Sequence, residues 1–234
     1  MSEKSGAMHA TDSEHGVPHS IINAPPPVVE AYKHSYADPA PLGMLAYGTV
    51  FFCSSLLTLH AGGVQSANLV LVFAVFFGGI SQTLVGMWCM FLGDTFSATV
   101  FGAYGGFNFS YGALYLPQIG LAAAYSVDGV VTEEFSHAIG IYLAIWDAIT
   151  LLFFIGALRT TLPVCATLGF TVLALTCLSA NSFTGNPHLG TAGGAFGLCA
   201  TAGAYYGALS GIYTRASTFK AIRLPPVVLA YQNV

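Results

Sequence analysis

Charge is scarce in this chain of 234 residues: six Lys or Arg and ten Asp or Glu make up 7% of it. A typical soluble domain carries about 25%. No Asp, Glu, Lys or Arg occurs from Pro39 to Gly93, from Thr95 to Val127, or from Thr160 to Thr214. A water-exposed globule is therefore excluded. With a net charge of −4, the six basic residues form no patch for nucleic acid. Paired cysteine motifs are missing as well. Cys53, Cys89, Cys165, Cys177 and Cys199 all fall inside apolar runs, where cysteine behaves as a small hydrophobe, so neither disulfides nor zinc are expected. Inside the apolar stretches no His pair sits at helical spacing for haem and no carboxylates cluster for a metal, so no cofactor and no enzyme chemistry are expected. The first 36 residues lack an apolar signal core and read as a disordered, cytoplasmic tail over 1–37.

What is present is apolar sequence: 55% of residues are hydrophobic and the mean hydropathy is +0.69. Two of the uncharged stretches can each hold two bilayer crossings of about 20 residues with a short turn between. Six spans are predicted, near 42–60, 67–92, 96–116, 137–158, 162–182 and 188–213. They form an all-α membrane domain over 38–215, followed by a C-terminal tail over 216–234. With six spans, Lys4, Lys33, Arg159, Arg215, Lys220 and Arg223 all fall on the side of the termini and the opposite loops carry no basic residue. That segregation predicts cytoplasmic N- and C-termini. Alternation of period two is absent and the runs are twice the length of a barrel strand, so the spans are expected as helices.

Small residues recur one helical turn apart: Gly190 and Gly194, Gly193 and Gly197, Gly203, Gly207 and Gly211, and Gly102 and Gly106. Such faces let helices approach closely, within one protomer or between copies, and both readings stay open. Inside the spans, Asp147 is the one acid far from an end, with Asp94 at the end of the second span. Intramembrane acids are functional candidates by default. His60, His137 and His188 lie near span ends. The other polar groups, among them Gln82, Tyr104, Asn108, Thr171 and Asn181, can hydrogen-bond a solute without trapping an ion, as a pathway for a small polar solute requires. The Asp38-Pro39 and Asn186-Pro187 helix starts invite comparison with aquaporins. The first precedes span one, and no arginine follows the second, which excludes that pore.

At these residues the sequence resembles the acetate uptake transporters, the acetate/ammonia or YaaH-like family, in its fungal type. The family signature NPAPLG appears as Asp38-Pro39-Ala40-Pro41-Leu42-Gly43, with Asp for Asn. A second segment, F-x-G-G-I-x-Q, is matched by Phe77, Gly78, Gly79, Ile80 and Gln82. A third is matched at Gly93, Thr95, Phe96, Thr99, Phe101, Tyr104 and Gly105, with departures at Asp94 and Ala103. Gly140, Tyr142 and Trp146 match a pattern of the fourth span.

The resemblance implies a six-helix protomer in a hexameric ring of the plasma membrane, with one substrate pathway through each protomer. It implies transport of acetate and related short monocarboxylates, in some members succinate, with protons. Ammonia or ammonium transport and a non-transporting acetate sensor are the alternatives. Carried over by motif, the constriction holds Tyr47 and Tyr104; Phe170, in a segment without a firm motif, is implied as its third member, and Gln82, Asn181 and Thr171 are polar pathway positions. Asp147 is the acid that could be linked to the proton. An interior negative by about 100 mV opposes an entering anion by roughly 2.3 kcal/mol, whereas an anion with one proton moves without electrical work. Both an anion channel and a proton symporter remain open.

Overall fold

In a computed structural model of the chain the described residues are 36–229. The tail expected over 1–37 lies outside them except for Tyr36 and Ala37. The chain begins its first helix with Asp38, whose Oδ1 accepts a hydrogen bond from the N–H of Ala40 at 2.9 Å. Pro41 sits at the second helical position, where a missing N–H costs nothing. Helix α1 then runs Ala40–Thr58. Helix α2 covers Leu69–Leu92, and Phe73–Gly79 within it is wound as a π-helix. Helix α3 covers Thr95–Leu114, α4 Glu133–Ala157, α5 Leu162–Thr184 and α6 Pro187–Ile212.

Two hairpins use the same punctuation. Gly93 (φ 81°) and Gly185 (φ 66°) end α2 and α5 in the left-handed region that favours glycine. The next residue caps the following helix: Asp94 Oδ1 accepts from the Ser97 N–H and Asn186 Oδ1 from the His188 N–H, each at 3.0 Å. Asp94 thus has a capping role. The long α3–α4 connection holds one helical turn, Leu121–Ala124, and a small antiparallel ribbon of β1 (Ser126–Val127) and β2 (Val130–Val131). Asp128 and Gly129 turn that ribbon with positive φ at both positions, as a two-residue hairpin needs. Helix α4 starts at Glu133, four residues before the sequence boundary of 137. Glu133 and Glu134 look like loop residues by charge, yet they favour the positive end of the helix dipole.

The helices close a ring in chain order, each packed on the next and α6 back on α1. The α3–α4 seam has the fewest close backbone approaches and is filled by rings instead. Phe107 lies 5.0 Å from Trp146 and 6.0 Å from Tyr142, centroid to centroid. After α6 the chain returns as a strap under the α4–α5 turn. The Leu162 N–H donates to Val227 O at 2.8 Å, and the Leu229 N–H to Thr160 O at 3.1 Å. The outward surface is apolar: Phe76 on α2 and Leu152 on α4 are 70% and 68% exposed, as suits lipid contact. Four helices, Ala40–Thr58, Leu69–Leu92, Glu133–Ala157 and Leu162–Thr184, are long and apolar enough to cross a membrane. Glycine and hydroxyl residues lower the hydropathy of the other two.

Those glycines serve the ring itself. A Cβ on Gly193 would meet Leu178 of α5. One on Gly194 would meet Leu59 just beyond α1, and one on Gly203 would lie 3.2 Å from the backbone of Pro163. The α6 faces thus pack against α1 and α5 within one protomer. Gly102 and Gly106 differ, since a Cβ on either meets nothing within 4 Å. The contrast is testable by alanine. Gly86→Ala places Cβ 2.7 Å from the backbone nitrogen of Gly102, so it should cost about 1–3 kcal/mol. Gly106→Ala should be neutral or slightly stabilising by helix propensity. Thermal unfolding of the two variants in detergent reads the difference.

Candidate functional site

Inside the ring, α1, α3, α4 and α5 surround a cavity of about 220 Å³. The face of α3 that looks into it repeats at helical spacing: Tyr104, Phe107, Asn108, Tyr111 and Tyr115. Helix α1 contributes Tyr47, Val50, Phe51, Ser54 and Thr58, α4 contributes Leu143 and Trp146, and α5 Thr171, Leu175 and Asn181. The cavity continues into a vestibule of about 800 Å³ at the end away from Asp38, where His60, Glu133 and His137 join the lining. Thr58, Tyr115, Asn181 and Ser182 border both. At the other end a chamber of about 40 Å³ lies among Met44, Val100, Phe101, Thr167 and Ala204.

Tyr47 and Tyr104 border the inner cavity and the chamber alike, so these two rings form the neck between them. Their centroids are 5.1 Å apart and the rings meet edge to face. Each phenol is pinned by a threonine, and the hydrogen directions follow from counting. The single hydroxyl hydrogen of Thr171 goes to Thr167 O at 2.7 Å, so across the 2.5 Å contact the Tyr47 hydroxyl donates to Thr171 Oγ1. The Tyr104 hydroxyl donates to Thr150 Oγ1 at 3.0 Å, and Thr150 donates to Trp146 O at 2.7 Å. Phe107 and Phe153 pack on Tyr104 from the seam side, with centroids at 6.4 and 5.9 Å.

Beside the neck is a buried amide pair. Asn108 Nδ2 donates to Gln82 Oε1 at 2.7 Å and to Tyr104 O at 2.9 Å. The backbone carbonyl can only accept, which fixes the amide orientation. Room for the pair is made by Gly78 in the π-helical turn of α2, where a Cβ would lie 2.8 Å from Asn108. The close approach of α2 to α3 depends likewise on Gly105, whose Cβ would lie 2.8 Å from the Thr83 nitrogen. Gly43 of the helix-start motif leaves space for the Phe101 ring. The glycines of the motif segments thus place the neck rather than line it.

The structure brings Tyr47, Tyr104, Thr171 and Asn181 to the cavity. It holds Gln82 one side chain behind, against Asn108. Phe170 is directed elsewhere: it stacks on Phe196 of α6 at 6.4 Å and is not among the cavity-lining residues. Asp147 also points off the path, its Oδ2 accepting from Thr176 of α5 at 2.7 Å. Asn108 is the residue that motif reasoning passed over. Its spacing of four from Tyr104 is the signal that would have found it. None of the lining residues of the three cavities is Lys or Arg. Among the described residues, no group of three or more His, Cys, Asp or Glu is placed to hold a metal ion.

A ring of helices with lipid-compatible outer walls and aligned internal cavities defines a multi-pass membrane protein with an internal passage. The chain belongs to the GPR1/FUN34/YaaH family, which it matches over residues 22–230. It is 35% identical over 190 residues to the Meiotically up-regulated gene 86 protein of Schizosaccharomyces pombe, covering 79% of this chain and 61% of that protein. It is 32% identical over 198 residues to Acetate permease A of Emericella nidulans, covering 82% and 66%. To Ammonia transport outward protein 2 of Saccharomyces cerevisiae it is 32% identical over 194 residues, covering 83% and 68%. Its fold is similar to the bacterial acetate channel SatP, with a TM-score of 0.68 and 26% identity over 79% of this chain and 97% of that one. The chain thus spans about two thirds of the length of these curated relatives.

The pinning of the neck predicts a double-mutant result. Thr171→Val keeps shape but leaves the Tyr47 hydroxyl buried without an acceptor, so it should cost about 1–3 kcal/mol. Tyr47→Phe combined with Thr171→Val should recover most of that loss. Chemical or thermal unfolding of the four proteins in detergent measures the coupling.

Proposed function

We propose that this chain carries acetate and related short-chain monocarboxylates, with succinate at the upper size limit, across the plasma membrane. The observation that carries the reading is the Tyr47–Tyr104 neck between two cavities whose walls hold no Lys or Arg. A fixed cation would retain a carboxylate, whereas aromatic and hydroxyl walls bind it briefly and release it. The narrow neck excludes long chains by size. The relatives named as acetate permease and acetate channel support the same solute.

In this reading all six helices span the bilayer. Both termini are cytoplasmic, the vestibule opens outside, and protons move with the solute. The working unit is a homo-hexamer, each protomer with its own passage, and no reaction is catalysed. Thr171 takes the third place at the neck, beside the expected Phe170. Asn181 lines the approach, and Gln82 supports Asn108. Ammonia or ammonium transport is the second reading, favoured by the relative of that name. A non-transporting acetate sensor is a third, and it lacks a specific observation in its favour.

Purified protein in liposomes tests the choice. Labelled acetate should enter faster than in protein-free vesicles, and labelled methylammonium should not. Tyr104→Ala should raise lactate uptake relative to acetate several-fold by widening the neck. Phe170→Ala should leave that ratio unchanged. A ratio unmoved by Tyr104→Ala at matched reconstitution would remove the neck from the account.

A further inference from the structure

The hydrogen-bond count at the neck bears on the form in which a solute passes. Both phenol hydrogens are given to threonines, and both N–H bonds of the Asn108 amide are given to Gln82 Oε1 and Tyr104 O. On the face that meets the cavity, the neck leaves acceptor capacity open; the unpartnered Nε2 of Gln82 lies behind Asn108 and borders none of the three cavities. Asn108 Oδ1 is buried without a partner, on a side chain 3% exposed that lines the inner cavity. The phenol oxygens of Tyr47 and Tyr104 keep their lone pairs. The one free hydroxyl hydrogen near the neck lies beyond it: Thr167, 5% exposed and without a partner, borders the small chamber.

A carboxylate only accepts hydrogen bonds, so it would lose its hydration at a place lined by acceptors. That loss costs several kcal/mol for an ion with no compensating donor. An uncharged carboxylic acid has one O–H to give and a carbonyl to receive. We propose that the neck passes short monocarboxylic acids in their protonated form. The acid O–H donates to Asn108 Oδ1 on the cavity side, and the acid carbonyl accepts from the Thr167 hydroxyl on the chamber side. This rests on the transport reading above and specifies its solute.

The proton travels on the solute. The anion takes up a proton in water on one side and releases it in water on the other. Each acid carries one proton and no net charge, and no protein group need change protonation. Val50, Phe51, Leu143 and Leu175 in the cavity wall suit a hydrocarbon tail, which ammonium lacks.

The titratable side chains lining the inner cavity are the phenols of Tyr47, Tyr104, Tyr111 and Tyr115, from α1 and α3. Those of the vestibule are His60, Glu133 and His137. A protein group gating the passage would impose a single step as it changed protonation. The neutral fraction of an acid instead falls about tenfold per unit throughout the range from about pH 6 to 8, all of it a unit or more above a carboxyl pKa of about 4 to 5.

The test is labelled-acetate exchange through the full chain in liposomes, at equal pH and equal acetate inside and out. Protein-free vesicles supply the background that is subtracted. The protein-dependent flux should fall about tenfold per pH unit across that range and should not respond to an imposed potassium diffusion potential. Asn108→Leu should lower it about tenfold, the loss of one hydrogen bond. Gln82→Leu with Asn108→Leu removes both amide partners and so protects folding. That pair should show the same loss while eluting as a single species in detergent.

Flux that follows total acetate and responds to the potential would overturn the inference while leaving acetate transport standing. So would full flux through the correctly folded double variant. Absence of acetate flux at every pH, with methylammonium passing instead, would overturn the transport reading itself.

Discussion

A phenol held by a threonine one helix away sets the position of everything else in this molecule. In an interior with almost no charge, a hydrogen bond between hydroxyls is strongly favoured, because the alternative is an orphaned polar group in hydrocarbon. Tyr47 therefore ties α1 to α5 through Thr171, and Tyr104 ties α3 to α4 through Thr150. Four of the six helices are fixed around one point by two bonds. The rings so held stand between the 220 Å³ cavity and the chamber beyond it.

Glycine makes this arrangement possible. Where α2 must lie against α3, Gly86 and Gly105 remove the Cβ that would otherwise strike backbone. Where Asn108 must be buried beside the neck, Gly78 opens the space and the π-helical turn from Phe73 to Gly79 shifts the register of α2. The α6 glycines pull α1 and α5 against a common backbone. The α3–α4 seam goes the other way, keeping its helices apart and filling the gap with Phe107, Tyr142 and Trp146. The inner cavity lies beside that seam, with Phe107 and Trp146 in its wall.

Much of this was legible beforehand. Charge-free length fixed the helix positions to within two residues at most ends, because hydropathy reports the hydrocarbon-facing run directly. Helix α4 began earlier since Glu133 and Glu134 serve the dipole while reading as loop. Tyr47 and Tyr104 were reachable through their motifs, with Thr171 and Asn181 through polarity. Phe170 shows the limit. Adjacent positions on a helix point about 100° apart, so one residue decides between the cavity and Phe196. Asn108 stood only among the polar groups of its span, and neither its pairing nor the π-helical turn was legible, since partners 26 residues apart in sequence, such as Gln82 and Asn108, declare themselves only in the fold.

The central claim is that Tyr104 and Tyr47 separate vestibule from chamber. Single cysteines on a background lacking the five native ones test it most directly, with a small membrane-impermeant thiol reagent applied from the vestibule side. Ser54→Cys, in the inner cavity, should react, and Ala204→Cys, in the chamber, should stay protected until Tyr104→Ala is added. Equal reaction at both positions with the neck intact, or protection of Ala204→Cys that survives Tyr104→Ala, would contradict the account.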